Sequence, residues 1–308
     1  MAAARRRIAL VELGSNAVRL ILARIRPRDR FDVLREERVQ TRLGAGRPGT
    51  LPRRAVEETV DVVRRFLAEV RDGEEARPRV LAVATSAVRD AVNREQLLGP
   101  LRRTDGVEVR VLSGREEARL GAIAVRRTLP FRTGVIADLG GGSLQITRLR
   151  AGEIVSVASL PLGALRLTRR FLLHDPPPPR ELRELRREIR GRLLSTLPPA
   201  TSGEELVGLG GTVRTLARLH LRGERRSRKS RHGLRLWQSE VIAVRERLEP
   251  LAARERRRFP GLKAERADII LAGIIVIEEL MTFGGYLRLV VGTCGVRDGL
   301  LYRETFDG

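Results

Sequence analysis

Two stretches, VELGSNAVRL (Val11–Leu20) and ADLGGGSLQI (Ala137–Ile146), repeat one pattern. Each runs from an apolar segment through an acidic residue and one hydrophobic residue into a turn of glycine and small polar residues, then back into an apolar segment. A glycine accepts backbone conformations that a Cβ forbids, so both turns read as tight links between strands. Around the first lie RIALVELG, VRLILARI and FDVLREERVQTRLG, three strand-like runs. Around the second lie TGVIADLGGGSLQITRLRAGEIVSVASLPLG, again three. The pattern restarts, and one strand-turn-strand device is built twice.

Helices and further strands follow each copy. Val56, Val60, Val63, Phe66, Leu67 and Val70 recur at a helical period that ends at Gly73. RVLAVAT reads as a buried strand, and SAVRDAVNREQLLGPL as one helix capped by Ser86. VEVRVLSG is a strand and REEARLGAIAVRRTL a helix, broken at TLPFRTG. This predicts an α/β chain with a first domain over 1–128 and a second over 129–308, the last helix being free to pack back on the first. ELVGLGG and LRLVVG read as later strands. HDPPPPRELRE reads as a rigid connection into a helix with Leu182, Leu185, Ile189 and Leu193 as its apolar stripe. Its arginine-rich opposite face reads as a solvated surface.

Composition narrows the function. At 308 residues, 42% hydrophobic and 3% aromatic, the chain can build two aliphatic cores but offers few rings for stacking bases. Its longest apolar run, IILAGIIVI (Ile269–Ile277), is shorter than the roughly 20 residues of a membrane span. No apolar stretch precedes the first strand, so no signal peptide is expected and the cytoplasm is the expected compartment. Cys294 is the single cysteine, and His174, His220 and His232 lack metal-ligand spacing, which excludes a disulfide, a thiolate zinc site and Ser/His/Asp chemistry. The formal charge of +22 favours a polyanionic partner, although nearly all of it is arginine and fits a compositional bias equally well. The basic loop at 222–232 fits a polyanion contact or a solvated loop.

The acids and glycines of the two turns suggest phosphate chemistry. Gly14, Ser15 and Asn16 in one turn, and Gly140, Gly141, Gly142 and Ser143 in the other, offer successive backbone N–H groups to an anion. Glu12 and Asp138 hold equivalent places, and two such hairpins facing each other would set two carboxylates beside phosphates, as Mg²⁺ or another divalent cation requires. A third run, VGLGGTVRTLARL, enters a helix at Gly210, Gly211 and Thr212, whose amides are a second anion site. It lacks the GxGxxG spacing of a dinucleotide fold.

VELGSNAVRLILARI, ATSAVRDAVN, VLSGREEARLGAIAV, IADLGGGSLQI, SLPLGALRLT, VGLGGTVRTLA, RHG and RADIILAG…GVRDGLLYRE follow one another in this order. The series resembles that of the exopolyphosphatase and guanosine pentaphosphate phosphohydrolase (Ppx/GppA phosphatase) family, in its short two-domain form. The resemblance implies duplicated ribonuclease-H-like domains of the actin/Hsp70/sugar-kinase superfamily with an interdomain cleft. It also implies Mg²⁺-dependent hydrolysis of phosphoanhydrides in inorganic polyphosphate or pppGpp, and hence a link to the stringent response. By position, Glu117 matches the family's general base and Arg89 its phosphate-contacting arginine. Polyphosphate or guanosine penta- or tetraphosphate is the implied partner. Neither a membrane nor a nucleic acid is expected, and a homodimer is left open.

Several residues depart from the family pattern. Glu12 stands where an aspartate is usual. Leu144 and Gln145 replace a threonine and a glutamate, and Gln145 can hydrogen-bond a phosphate but cannot take a proton or neutralise a cation. VGTCGVRDG lacks an expected aspartate turn, with Cys294 reading as a small packed residue. Two functions therefore stand: a phosphohydrolase, or a polyphosphate or alarmone binder that has kept the fold with weakened catalysis. A kinase of the same fold rests on GLGGT alone.

Overall fold

A computed structural model describes residues 7–27, 30–72, 77–197, 204–223 and 231–306. It divides into two compact units, Met1–Glu117 with Val296–Gly308, and Ala118–Gly295. The division falls inside a helix that runs unbroken from Gly114 to Thr128, so the chain changes unit without the loop expected near Thr128. The last helix, within Val296–Gly308, groups with the first unit.

In the first unit β1 (Arg7–Leu13), β2 (Val18–Arg26) and β3 (Arg30–Val39) form an antiparallel meander. Helix α1 (Arg53–Asp72) leads to β4 (Arg79–Ala84), which pairs parallel to β1. Helices α2 (Ser86–Arg89) and α3 (Glu95–Asp105) precede β5 (Val109–Val111), and the sheet order is β3-β2-β1-β4-β5. The single helix expected from Ser86 is thus two pieces. Asn93 breaks it, because its side chain bonds both the N–H and the carbonyl of Leu51 and fixes a turn there. Ser86 is not the cap: Thr85 precedes the helix, and the Ser86 hydroxyl lies 2.9 Å from that of Ser15. The apolar stripe of α1 covers the sheet as its period requires, with Val56, Val60, Val63, Phe66, Leu67 and Val70 all buried.

The second unit begins within α4 (Gly114–Thr128) and repeats the meander as β6 (Gly134–Leu139), β7 (Leu144–Arg150) and β8 (Glu153–Leu160). There follow α5 (Ala164–Phe171), α6 (Pro179–Leu194), β9 (Glu205–Gly210), α7 (Gly211–Gly223), β10 (Arg235–Trp237), α8 (Gln238–Leu248) and α9 (Ala253–Arg256). Helix α10 (Ile270–Gly284) and β11 (Arg288–Val291) complete it, with strand order β10-β11-β9-β6-β7-β8. Helix α11 (Val296–Phe306) belongs to the first unit. Helix α10 carries the apolar run and is buried nearly throughout, which is why its sequence lacks a polar face. No described helix is long and apolar enough to cross a membrane. Of the basic loop at 222–232, residues 224–230 lie outside the described residues.

The two meanders superpose in pattern: in each, the central strand (β1 or β6) pairs antiparallel to its successor on one side and parallel to a later strand on the other. Both glycine turns sit at the carboxyl ends of those central strands.

Candidate active site

In the first unit, β1 ends at Leu13 and the turn closes with Gly14 N–H donating to Ala17 O at 3.1 Å. The carbonyls of Ser15 and Asn16 are used from behind, accepting from Gly44 (2.8 Å) and Arg42 (3.3 Å). Gln40 donates to the Asn16 side-chain oxygen at 3.2 Å, while the Asn16 side-chain nitrogen is buried and donates to nothing among the described residues. A buried donor left unsatisfied is costly, and this amide is able to take an acceptor that arrives from outside.

Ser15 leads on to the candidate base. Its hydroxyl meets that of Ser86 at the start of α2, and Arg89 ends the same turn. Arg89 Nη1 donates to Leu112 O at 2.9 Å and to the Glu117 carboxylate, with Asp90 3.5 Å from its Nε. Glu117 is 5% exposed. Its neighbour Glu116 is engaged elsewhere. Ser113 N–H donates to Glu116 Oε2 (2.8 Å) and Glu116 N–H to Ser113 Oγ (3.2 Å), a reciprocal capping box at the start of α4. The backbone N–H of Ser113 holds the Glu116 carboxyl below the usual carboxylate range, against the opposing effect of burial. One acid of GREEARL therefore caps the helix and the other turns inward onto Arg89.

Glu12 is 8% exposed and lies between two guanidiniums, Arg19 Nη1 at 3.1 Å and Arg297 Nε at 3.3 Å. Arg297, from α11, also pairs with Glu36 at 2.9 Å. Burial opposes its charge, but Glu12 and Glu36 outweigh burial and hold the guanidinium above its usual range. This arrangement does not fit Glu12 as a direct ligand of a divalent cation, because its charge is already balanced by arginines.

The second unit arranges its copy differently. Asp138 and Gln145 are direct cross-strand partners of β6 and β7, so they share one face of the sheet. Gln145 is 3% exposed and donates to Ser143 Oγ (2.7 Å) and Ser159 Oγ (3.3 Å). Asp138 is ringed by glycines: a Cβ on Gly121 or Gly295 would stand 3.9 Å from Oδ2, and one on Gly210 3.2 Å from Oδ1. With no Cβ at these positions, Asp138 is a carboxylate of the donor type a hydrated cation takes, with water and phosphate oxygens as the remaining ligands. Among the described residues no three acids, cysteines or histidines gather as a ready-made cage.

The Gly140–Ser143 turn is held by its carbonyls. Ala164 N–H donates to Gly140 O (3.0 Å), Leu165 and Arg166 N–H to Gly141 O (2.9 and 3.0 Å), and Arg166 Nε to Gly142 O (2.8 Å). The first-turn amides of α5, which a helix otherwise leaves open, thus anchor the turn. The amides of Gly141 and Gly142 donate to nothing among the described residues and are available to an anion. The anchoring needs Gly163, where a Cβ would overlap the backbone of Gly141 and Gly142. β6 and β9 are neighbours, with Leu139 opposite Gly210, so the third glycine turn lies beside the second. Gly210 has φ +94°, available to glycine at little cost, and Thr212 is fully buried at the start of α7. Arg266 lies against Gly211, its Nη2 3.4 Å from Thr212 Oγ1.

The structure therefore gathers Ser15, Asn16, Arg89 and Glu117 in one unit, and Asp138, Gly140–Ser143, Gln145 and Gly210–Thr212 in the other. Sequence reasoning missed Arg297, Arg19, Gly163, Arg166 and Arg266. Of these, Gly163 alone carried a local signal, the glycine of SLPLGAL before a helix.

Two sheets of matching topology, each with a glycine turn at the end of its central strand, define the duplicated ribonuclease-H-like fold of the actin, Hsp70 and sugar-kinase class. Within that class, the sequence profile of the Ppx/GppA phosphatase family matches residues 21–306, and the chain belongs to that family. It is 32% identical to exopolyphosphatase 1 of Mycobacterium tuberculosis over 97% of this chain and 88% of that one. To exopolyphosphatase 2 of the same organism it is 34% identical, over 96% and 97%. The crystal structure of the Aquifex aeolicus Ppx/GppA family member matches with a TM-score of 0.81 at 29% identity, covering 98% of each chain.

Proposed function

We propose that this chain removes terminal phosphate from chains of anhydride-linked phosphates, inorganic polyphosphate foremost and guanosine pentaphosphate as a second substrate. The observation that carries the reading is the division of labour in GREEARL: Glu116 caps α4 while the buried Glu117 is held by Arg89. A carboxylate fixed in this way can accept the proton of an attacking water as its oxygen closes on phosphorus. Arg89 positions Glu117 and offers its planar fork to phosphate oxygens. The Asn16 side-chain amide in the first unit, and the amides of Gly141 and Gly142 in the second, are the open donors for non-bridging oxygens. Mg²⁺ or a similar ion, held by Asp138, would neutralise phosphate charge. Glu12 serves by fixing Arg19 and Arg297 rather than by ligating the ion. Phosphate release from polyphosphate tests this: Glu117→Gln should lower kcat by about 10²- to 10⁴-fold. Residual activity equal to the parent removes Glu117 from the role.

A second reading, a binder of phosphate chains with weak turnover, is favoured by Gln145. Its amide is satisfied by two serine hydroxyls and supplies no charge opposite Asp138. Tight binding of polyphosphate without phosphate release, with turnover gained in Gln145→Glu, would select it.

A further inference from the structure

The arginine-rich face of α6 is more than a solvated surface. Arg186 is tied to Glu278 (3.0 Å) and Glu279, and Arg190 to Glu279, both acids lying on α10. Those pairs hold α6 to α10. Arg183 and Arg187, exposed on the same helix, pair with nothing among the described residues. Between the two helices opens a cavity of about 510 Å³, lined by these four arginines with Gly191, Leu194 and Phe283.

Gly191 is the informative residue. It stands in the last turns of α6, where glycine is a poor helix former compared with alanine. No packing explains it: a Cβ there would meet nothing within 4 Å. Its φ is not in the left-handed region, so no turn requires it. What its missing side chain leaves is the open floor of the cavity. Around that floor are an aromatic edge, Phe283, and Leu194, which is 73% exposed. A bare phosphate chain has no use for this apolar end, and an uncharged ring has none for the arginines.

We propose that this cavity binds a nucleotide, its phosphates on Arg183 and Arg187 and its ring over Gly191 against Leu194 and Phe283. Positions 183, 187, 191 and 194 fall on one stripe, and the helix rises about 16 Å from the first to the last, a span suited to a nucleoside triphosphate. The volume lies within the range of small-molecule sites. The smaller cavity on the other side of Gly191, about 350 Å³, shares Arg187 but adds Glu184 and Glu188, so it is less cationic than the first. The nucleotide cavity shares no residue with those assigned to hydrolysis.

Calorimetric titration of the full chain with GTP, guanosine and tripolyphosphate, each up to about 1 mM, tests it. GTP should bind Glu117→Gln as it binds the parent, so failure of the catalytic reading would leave this site untouched. The Arg183→Gln/Arg187→Gln double variant should bind GTP about tenfold more weakly or worse. Gly191→Leu, which keeps every charge and strengthens the helix, should lose the same binding without lowering Tm. Guanosine and tripolyphosphate should each bind this site less tightly than GTP. GTP binding that is absent, or unchanged in both variants, overturns the proposal. So does tripolyphosphate binding that equals GTP, weakens in the Arg183→Gln/Arg187→Gln variant and survives Gly191→Leu, which would leave only a polyanion patch.

Discussion

The first and second glycine turns share a sequence pattern and a place in the sheet, yet their acids live in opposite surroundings. Glu12 is enclosed by Arg19 and Arg297, whereas Asp138 is enclosed by glycines and faces the neutral Gln145. Duplication has preserved the backbone geometry of strand, turn and strand while the chemistry has diverged. One acid holds structure, and the other has room for a ligand. The cause lies outside the turns: α11 belongs to the first unit and brings Arg297, while Gly121, Gly210 and Gly295 place no Cβ beside the oxygens of Asp138.

The largest expected effect breaks this contrast at Glu12. Glu12→Ala removes one of the two ion-pair partners of the buried Arg297, leaving the largely exposed Glu36, and should cost about 3 kcal/mol in urea unfolding. Asp138→Asn should leave unfolding nearly unchanged and reduce phosphate release instead. Equal stability losses in the two variants would erase the distinction. Next in size, Gly163→Ala forces a methyl into the backbone of the second turn and should destabilise by about 1–3 kcal/mol. Polyphosphate binding should fall with it, since the nest amides depend on that anchor. Gln145→Glu sharpens the comparison from the other side. It sets a second carboxylate opposite Asp138, so Tm should drop without divalent cation and recover when Mg²⁺ is added, whereas the parent responds less.

The smallest effect concerns Glu116. Its carboxyl is held below the ordinary range by the Ser113 N–H, so its contribution is fully present above the unfolded carboxylate value, about 4.3, and is lost as pH falls through the lower folded value. The Tm difference between parent and Glu116→Gln should therefore be complete at neutral pH and vanish in acid. Ser113→Ala, which removes the other half of the capping box, should cost about 1 kcal/mol.

Much of this was legible in sequence because period and punctuation are local. The two meanders, the stripe of α1 and the buried α10 follow from apolar spacing and from glycines at the turns. The break between α2 and α3 was hidden because Asn93 finds its partner at Leu51, far along the chain. Arg297 was hidden for the same reason: nothing near it announces a partner at Glu12, and in an arginine-rich chain one more arginine carries no signal. Apart from the family resemblance, which singles out Glu117, the two acids of GREEARL carry no local signal that tells them apart. The capping geometry supplies the physical reason: Glu116 is spoken for by Ser113.

That pair gives the most direct measurement. Phosphate release from polyphosphate should survive in Glu116→Gln with kcat near that of the parent and fall by about 10²- to 10⁴-fold in Glu117→Gln, both variants remaining folded. Comparable activity in the two variants, or loss in Glu116→Gln alone, would contradict the assignment of the buried acid as the base.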